Sequence, residues 1–379
     1  MNKKPFKAVD GPIIMLLAFA FMLVAQVVMS FAIIGVMSNP TAYEIINCIG
    51  MFVFQAVFMS VYLVYTKKRN IASTFTPRNK ITIWSVLGAI LIAIICFFCF
   101  IGLAYIFEIL LAKTGYTSSE IGMDSVPAIV LLLIATVIVA PICEETIFRS
   151  AFLSGVTKVR KDEIGTSFLC GICFALMHMN PSQTVYQFCL GTIAAYITLK
   201  CRNVIPAMII HATSNLLAML MSLLDVGVAI DEFYMKVGTN WLIMILLCVA
   251  APIIACVLVW LICKYLKKAE QKKYPDKYNL PRKVIWIDEV TKQPIYEGDE
   301  VPVITEENRI IQRGFSPFTG APVLVDRLEL QNALMDDYVR NNGEKTGGLG
   351  KKSYEKAFGI YFALTIALWF MTFIEGFIL

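Results

Sequence analysis

Long apolar runs, separated by short polar breaks, account for most of the chain. They cover roughly residues 13–37, 43–66, 82–111, 127–156, 165–179, 183–199, 204–224, 241–263 and 358–378. A run of about 20 apolar residues is long enough to cross a bilayer as a helix, whereas an open strand cannot satisfy its backbone in lipid. The pattern predicts an all-α polytopic membrane protein, with about eight transmembrane helices in the core and a ninth at the C-terminal end.

The first apolar run has two interpretations. Lys3, Lys4 and Lys7 precede it, as basic residues precede the apolar part of a secretory signal peptide. The run continues to about Met37, however, which is too long for a signal peptide, and no small-residue cleavage site follows it. We therefore predict a retained first transmembrane helix.

Residues 265–357 interrupt the apolar pattern. This stretch is charged, contains repeated prolines and has short β-like runs at 283–288 and 301–305, and it ends in a Gly-rich segment at 343–350. The predicted organisation is a transmembrane bundle at 1–264, a small cytoplasmic domain or tail at 265–357, and a C-terminal transmembrane helix at 358–379.

Composition and charge support a membrane protein and predict its orientation. Hydrophobic residues make up 58% of the chain and charged residues only 16%, against about a quarter charged in soluble proteins. Lys and Arg gather in alternate connections, while the intervening loops hold only Lys113 and Lys236. The basic connections contain Lys67, Lys68, Arg69, Arg78 and Lys80, then Lys158, Arg160 and Lys161, then Lys200 and Arg202, then Lys264, Lys267 and Lys268. Positive loops stay cytoplasmic, so this distribution predicts a cytoplasmic N-terminus. The net charge of +5 is modest, and its location indicates topology and not a nucleic-acid partner.

Eleven cysteines lie almost entirely inside or at the ends of apolar runs. Cys96 with Cys99, and Cys170 with Cys173, have the Cys-x-x-Cys spacing of redox or metal sites. Free cysteine also behaves as a small hydrophobic residue in buried helices. We favour this second interpretation, because the surrounding positions are apolar.

Ionisable residues occur inside the apolar helices in the middle of the chain. Such a group costs several kcal/mol in a bilayer, so it is a functional candidate by default. Glu145 and Arg149 lie four residues apart in the fourth run, so they share a helix face and can pair. Glu144 lies about 100° round the helix and is free to face another partner, as a catalytic base would. The alternative is an ion pair that only locks two helices together.

The chain's two histidines also lie inside apolar runs. His178 is in the fifth run and His211 in the seventh, where Asn215 follows on the same helix face. A lone helical histidine is more often a satisfied core residue than a catalyst. Because both histidines lie beside other polar groups, at depths within the hydrocarbon zone, we predict one shared site with Glu144.

The predicted cluster suits hydrolysis by either of two routes. Glu144 and a histidine can deprotonate a water molecule for attack on a peptide carbonyl, while His211 and Asn215 donate hydrogen bonds to the oxyanion. Alternatively, Glu144, His178 and His211 can bind one catalytic zinc ion and leave its fourth position for water. The residues leave both routes open.

Three motifs in this order resemble those of the CPBP intramembrane protease family, which includes CAAX prenyl endopeptidases of the second type and bacterial bacteriocin-processing or self-immunity proteins. They are Glu144-Glu145-x-x-x-Arg149, Phe174-x-x-x-His178 and His211-x-x-x-Asn215, with Ala140-Pro141 and Phe188-Cys189-Leu190-Gly191 in agreement. The resemblance covers roughly residues 80–225. It implies an eight-span helical core and a site that opens to the cytosol. It also implies that Glu144 and His178 activate water, and that His211 and Asn215 stabilise the oxyanion.

Together these observations predict an intramembrane endopeptidase in a bacterial cell membrane. Its expected partners are membrane lipid and a peptide or lipidated protein substrate, cut near the cytoplasmic face. The alternative is a non-proteolytic membrane scaffold or bacteriocin self-immunity protein. A transporter is a third reading, which we disfavour because the chain shows no repeated half with matching broken helices.

Overall fold

Helices follow one another along the chain in the computed structural model, which describes residues 4–117, 125–160, 162–224, 229, 232–234, 236, 240–278, 284–288, 294–296, 310–315, 322–326, 330–335 and 349–377. The long helices in these ranges are α1 (Asp10–Ile34), α2 (Pro40–Arg69), α3 (Ile83–Lys113), α4 (Val126–Val159), α5 (Glu163–Met177), α6 (Thr184–Cys201), α7 (Ile205–Leu223), α8 (Leu242–Lys273) and α9 (Leu349–Glu375).

Seven of the helices in the described ranges are long and apolar enough to cross a membrane, namely α1, α2, α3, α4, α7, α8 and α9. α5 is apolar but has only 15 residues. α6 has 18 residues and carries Gln, Lys and several Thr side chains, which lower its hydropathy. The chain is therefore a polytopic all-α membrane protein, as predicted, although the predicted count of eight helices plus a ninth is not confirmed.

Two prolines explain local widening of the helices. α4 contains a π-helical segment at Ile134–Val139, directly before the turn that holds Pro141. α8 contains another at Leu246–Ala250, directly before Pro252. Proline has no N–H and its ring clashes with the carbonyl one turn earlier, so a wider turn relieves the clash. A further π-helical segment in α4 covers Thr146–Phe152, and such segments are frequent at functional sites.

The basic connections gather at one end of the bundle, which we call the cationic end. There, the short strand β1 (Lys4–Pro5) pairs in parallel with β2 (Ile71–Ala72) after α2. The Asn79 side chain donates to the Arg202 carbonyl at 2.8 Å, and Arg202 Nη1 donates to the Lys277 carbonyl at 3.0 Å. These contacts join the connections after α2, α6 and α8. Lys3 and Lys161, which contribute to the predicted orientation, lie outside the described residues.

The opposite end of the bundle is joined by different contacts. Ser125, just before α4, donates through its hydroxyl to Glu44 Oε2 near the start of α2, at 2.5 Å. The Thr117 backbone N–H, beyond the end of α3, donates to the Gly376 carbonyl at 2.8 Å. The starts of α2 and α4 and the ends of α3 and α9 therefore lie at the opposite end, as alternating transmembrane helices require.

Close packing of α5 on α6 sets the position of His178. A Cβ atom added at Gly171 would lie 2.1 Å from Thr192 Oγ1 and 2.8 Å from the Phe188 carbonyl oxygen. Because no side chain fits at that separation, only glycine allows α5 to approach α6 this closely. The next residue after α5 is His178, and this contact holds it in the interior.

Residues Tyr278–Gly350 form a compact unit of their own, separate from Met1–Lys277 with Lys351–Leu379. In it, β3 (Val284–Ile287) pairs antiparallel with β4 (Pro294–Tyr296), and β5 (Ile310–Phe315) pairs antiparallel with β6 (Pro322–Asp326). The Gln331 side chain accepts from the Ile287 N–H at 3.0 Å and donates to its carbonyl at 2.7 Å. The β-like run predicted at 283–288 contains β3. The run at 301–305, and residues 343–348 of the Gly-rich segment, lie outside the described residues.

Candidate active site

A buried ion pair lies behind the wall of the candidate site. Arg149 Nη1 donates to Glu145 Oε1 at 3.0 Å, and both side chains are at most 1% exposed. Arg149 Nη2 also donates to the Gly191 carbonyl of α6 at 2.9 Å, and its guanidinium lies 4.4 Å from the centre of the Phe174 ring. The pair therefore neutralises the charge inside α4 and joins α4 to α5 and α6.

Glu145 has a second partner, the His211 ring of α7. His211 Nδ1 lies 2.9 Å from Glu145 Oε1. An ionised carboxylate can only accept hydrogen bonds, so Nδ1 carries a proton and donates it to Glu145. The other ring nitrogen, His211 Nε2, faces Glu144 and lies 4.0 Å from its Oε2 atom.

His178 is oriented in the same way by a backbone carbonyl. Its Nδ1 lies 2.8 Å from the Phe174 carbonyl oxygen, which can only accept, so Nδ1 again carries the proton. Nε2 faces Glu144 and lies 3.9 Å from its Oε2 atom. The rings of Phe174 and His178 also make an edge contact at 4.7 Å, which limits rotation of the imidazole.

Glu144 lies between the two histidines. Its Oε1 atom accepts a hydrogen bond from Gln55 Nε2 at 2.7 Å. Its Oε2 atom is buried and makes no hydrogen bond with any residue that the structure describes. The carboxylate is thus held in place through Oε1, while Oε2 has no partner of its own among the described residues.

Gln55 is a site residue that the sequence analysis missed. It lies in α2, outside the residues that carry the family resemblance, and it is 8% exposed. The sequence does place this glutamine in the middle of a long apolar run. Such a position indicates a polar contact, because a buried amide needs a hydrogen-bond partner. The partner itself, 89 residues away, has no signal in the local sequence.

Asn215 lies one helical turn after His211 and faces the same space. Its Nδ2 atom donates to the Thr136 carbonyl of α4 at 2.7 Å. An asparagine amide has two N–H donors, so one remains for a ligand. Asn215 therefore both joins α7 to the π-helical part of α4 and keeps a donor for the site.

A cavity of about 910 Å³ opens in front of these groups. Glu144, His178, His211 and Asn215 line it, whereas Glu145 and Arg149 lie behind its wall. Its other polar lining residues are Gln55, Thr136, Glu108, Ser182, Gln183, Tyr186, Gln187, Ser214 and Ser222, and the rest is apolar. The structure thus brings four of the six predicted site residues to one cavity. The other two, Glu145 and Arg149, join the helices that form the cavity wall.

The donor groups lie farther apart than the ligands of a bound zinc ion do. Tetrahedral zinc with bonds of about 2.0–2.1 Å holds its nitrogen and oxygen ligands roughly 3.4 Å apart. Glu144 Oε2 lies 3.9 Å and 4.0 Å from the two histidine Nε2 atoms. Among the residues that the structure describes, no group of three or more His, Cys, Asp and Glu side chains is placed to hold a metal ion. Cys96, Cys99, Cys170 and Cys173 are free cysteines.

Comparison with protein-family models matches residues 126–217 to the type II CAAX prenyl endopeptidase Rce1-like family. Searches among curated proteins and among solved structures give no significant match. The matched segment runs from the start of α4 into α7 and contains all six site residues predicted from the sequence. The segment that holds the candidate active site is thus similar to the Rce1-like type II CAAX prenyl endopeptidases, which are part of the CPBP family.

Proposed function

We propose that this protein is an intramembrane endopeptidase that hydrolyses a peptide bond of a membrane-associated or lipidated substrate. One observation carries the proposal. Glu144 lines a large cavity, and its buried Oε2 atom has no hydrogen-bond partner among the described residues and lies 3.9 Å and 4.0 Å from two histidine Nε2 atoms. The family match supports a proteolytic activity of the CAAX type.

The first step is activation of water by Glu144 and His178. In the neutral tautomer of His178, Nε2 has a lone pair, so Nε2 and Glu144 Oε2 are both acceptors. Two acceptors 3.9 Å apart can be bridged by one water molecule that donates to each at about 2.8 Å. The oxygen lone pairs of this water then face the cavity and a substrate carbonyl. Glu144 takes the proton as the C–O bond forms and returns it to the amine that leaves.

The oxyanion that forms on the carbonyl needs hydrogen-bond donors. His211 supplies one through Nε2–H when its ring is doubly protonated, with the Glu145 carboxylate at Nδ1 as the counter-charge. The second N–H of the Asn215 amide supplies another. Gln55 holds the Glu144 carboxylate through its Oε1 atom, so the reacting oxygen keeps its position while its protonation changes.

A non-proteolytic scaffold or self-immunity protein is the competing function. A scaffold needs only the buried pair of Glu145 and Arg149, which joins three helices. It does not need a free carboxylate oxygen that two histidines face across a cavity. Location in a bacterial cell membrane with a cytoplasmic N-terminus is part of the proposal, and the distribution of Lys and Arg supports this orientation.

The test uses the purified protein in detergent or proteoliposomes with a pool of apolar and lipidated peptides, read by mass spectrometry. Glu144→Gln keeps the size of the side chain but removes the base, and we expect hydrolysis to fall by about 10²-fold or more. Ile142→Ala is the matched control, because Ile142 is 44% exposed on the same helix. Equal cleavage by Glu144→Gln and the unmodified chain would refute the proposal.

A further inference from the structure

The lining of the cavity shows which half of the bundle the substrate enters. On α3 the lining residues run from Phe97 to Glu108, which places them roughly 21 to 38 Å beyond the cationic end of the helix. On α4 they run from Glu144 to Leu132, roughly 22 to 40 Å from its cationic end. The cavity therefore extends from the catalytic groups away from the cationic end.

Toward the cationic end, the space beyond Glu144 is filled by buried side chains. On α4, Ile147, Phe148 and Arg149 are at most 1% exposed, and so are Phe152 and Leu153 one turn later. Phe174 of α5, fully buried, packs on this layer with its ring 5.1 Å from the Phe148 ring. This layer separates the catalytic groups from the basic connections.

Toward the opposite end, the rim of the cavity is exposed. Gln183, before α6, and Ser222, in the last turn of α7, line the cavity and are exposed. Ser182 also lines the cavity and neighbours Tyr116, which follows the end of α3. Tyr116 stacks on Phe373 near the end of α9. The rim therefore lies where α3, α7 and α9 end, away from the cationic end.

Buried acceptors along the wall indicate the chemistry of the occupant. The side chains of Gln55 and Gln187 line the cavity, and their Oε1 atoms are buried without a hydrogen-bond partner among the described residues. A buried acceptor without a donor costs about 1–3 kcal/mol, so a ligand that brings N–H groups is favoured. An extended peptide brings one backbone N–H per residue and fits a wall that is otherwise largely apolar.

We propose that the cavity receives an extended peptide segment from the membrane half opposite the cationic end, on the extracytoplasmic side. The orientation follows from the retention of basic loops in the cytoplasm. Cleavage of that segment rests on the proposed function, whereas entry from this side does not. The inferred entry differs from the cytosolic opening that the family resemblance implies.

Cysteine labelling of the full-length chain in intact cells tests this entry side. Gln183→Cys and Ser222→Cys place a thiol at the rim, and Lys80→Cys places one on an exposed position of the cationic end. The probe is a membrane-impermeant charged maleimide, applied before and after permeabilisation. The unsubstituted chain, whose cysteines do not line the cavity, serves as the blank.

We expect full labelling of both rim variants in intact cells, unchanged by permeabilisation. Labelling of Lys80→Cys should rise from the blank level to full only after permeabilisation. Rim thiols that react only after permeabilisation, or not at all, would overturn the proposal, and so would a Lys80→Cys thiol that reacts in intact cells. Because labelling needs no catalysis, this outcome is independent of the Glu144→Gln assay.

Discussion

The pair formed by Glu145 and Arg149 permits a test that separates folding from catalysis. Glu145→Gln leaves the Arg149 cation buried without its counter-ion. Arg149→Met likewise leaves the Glu145 anion buried without a counter-ion. Removal of one partner from a buried pair costs about 3–5 kcal/mol. Each single variant should therefore lose that much free energy of unfolding.

The double variant should be more stable than either single variant. Without either charge, the remaining loss is that of a few hydrogen bonds, including the one from Arg149 Nη2 to the Gly191 carbonyl. At about 0.5–1.5 kcal/mol each, these cost roughly 1–3 kcal/mol in total. The double variant should thus recover about 2 kcal/mol relative to each single variant, because neighbouring charges couple strongly.

Catalysis should not recover with stability. In the double variant, the amide oxygen introduced by Glu145→Gln can still accept a hydrogen bond from His211 Nδ1, so the ring keeps its orientation. The counter-charge for a doubly protonated ring is gone, however. Loss of one oxyanion donor typically lowers kcat by about 10²- to 10³-fold, and we expect this in the double variant.

The assay combines reversible SDS unfolding followed by far-ultraviolet circular dichroism with peptide hydrolysis by the same preparations. The wild-type chain and both single variants complete the thermodynamic cycle. Additive losses of stability would show that the two charges are not coupled. A stable double variant with wild-type kcat would refute the role of Glu145 as the partner of a charged His211.

Three further predictions follow from the site and its supporting contacts. Gln55→Leu removes the hydrogen bond to Glu144 Oε1 and should lower kcat by about 10-fold or more, since hydrogen bonds to charged groups contribute about 1.5–3 kcal/mol; an unchanged kcat would contradict this. Gly171→Ala should lower the free energy of unfolding by about 1–3 kcal/mol through overpacking. Gly359→Ala in α9 is the control and should leave the free energy of unfolding unchanged, because nothing lies within 4 Å of the added Cβ. Equal losses of stability in the two variants would argue against the close approach of α5 and α6. Hydrolysis should persist after dialysis against EDTA, as measured by peptide turnover alongside elemental analysis, whereas a loss restored by zinc would favour the zinc route.

Much of the helical architecture is predictable from the sequence, because each apolar run carries its own signal. The predicted runs at 13–37, 43–66 and 82–111 correspond to α1, α2 and α3. The proximity of Glu145 and Arg149 is also predictable, since a spacing of four residues places them on one helix face. In both cases the information lies within a single helix.

Contacts between helices are less predictable from one sequence. The bond from His211 Nδ1 to Glu145 spans 66 residues, and that from Gln55 to Glu144 spans 89. Both depend on the rotation of each helix about its axis, which the close contact at Gly171 and the π-helical segments of α4 help to determine. The direction of the cavity is equally a property of packing, because it depends on which bulky side chains, such as Phe148 and Phe174, fill the cationic half.

If Glu144 is the general base of a protease, its replacement should abolish cleavage in the cell. The most direct test compares the peptide termini in the membrane proteome of cells that express the wild-type chain, Glu144→Gln or Ile142→Ala at matched levels. We expect termini that appear with the wild-type chain and with Ile142→Ala and are lost with Glu144→Gln. Identical termini in all three, with any cellular phenotype intact, would contradict it and favour a helical membrane scaffold.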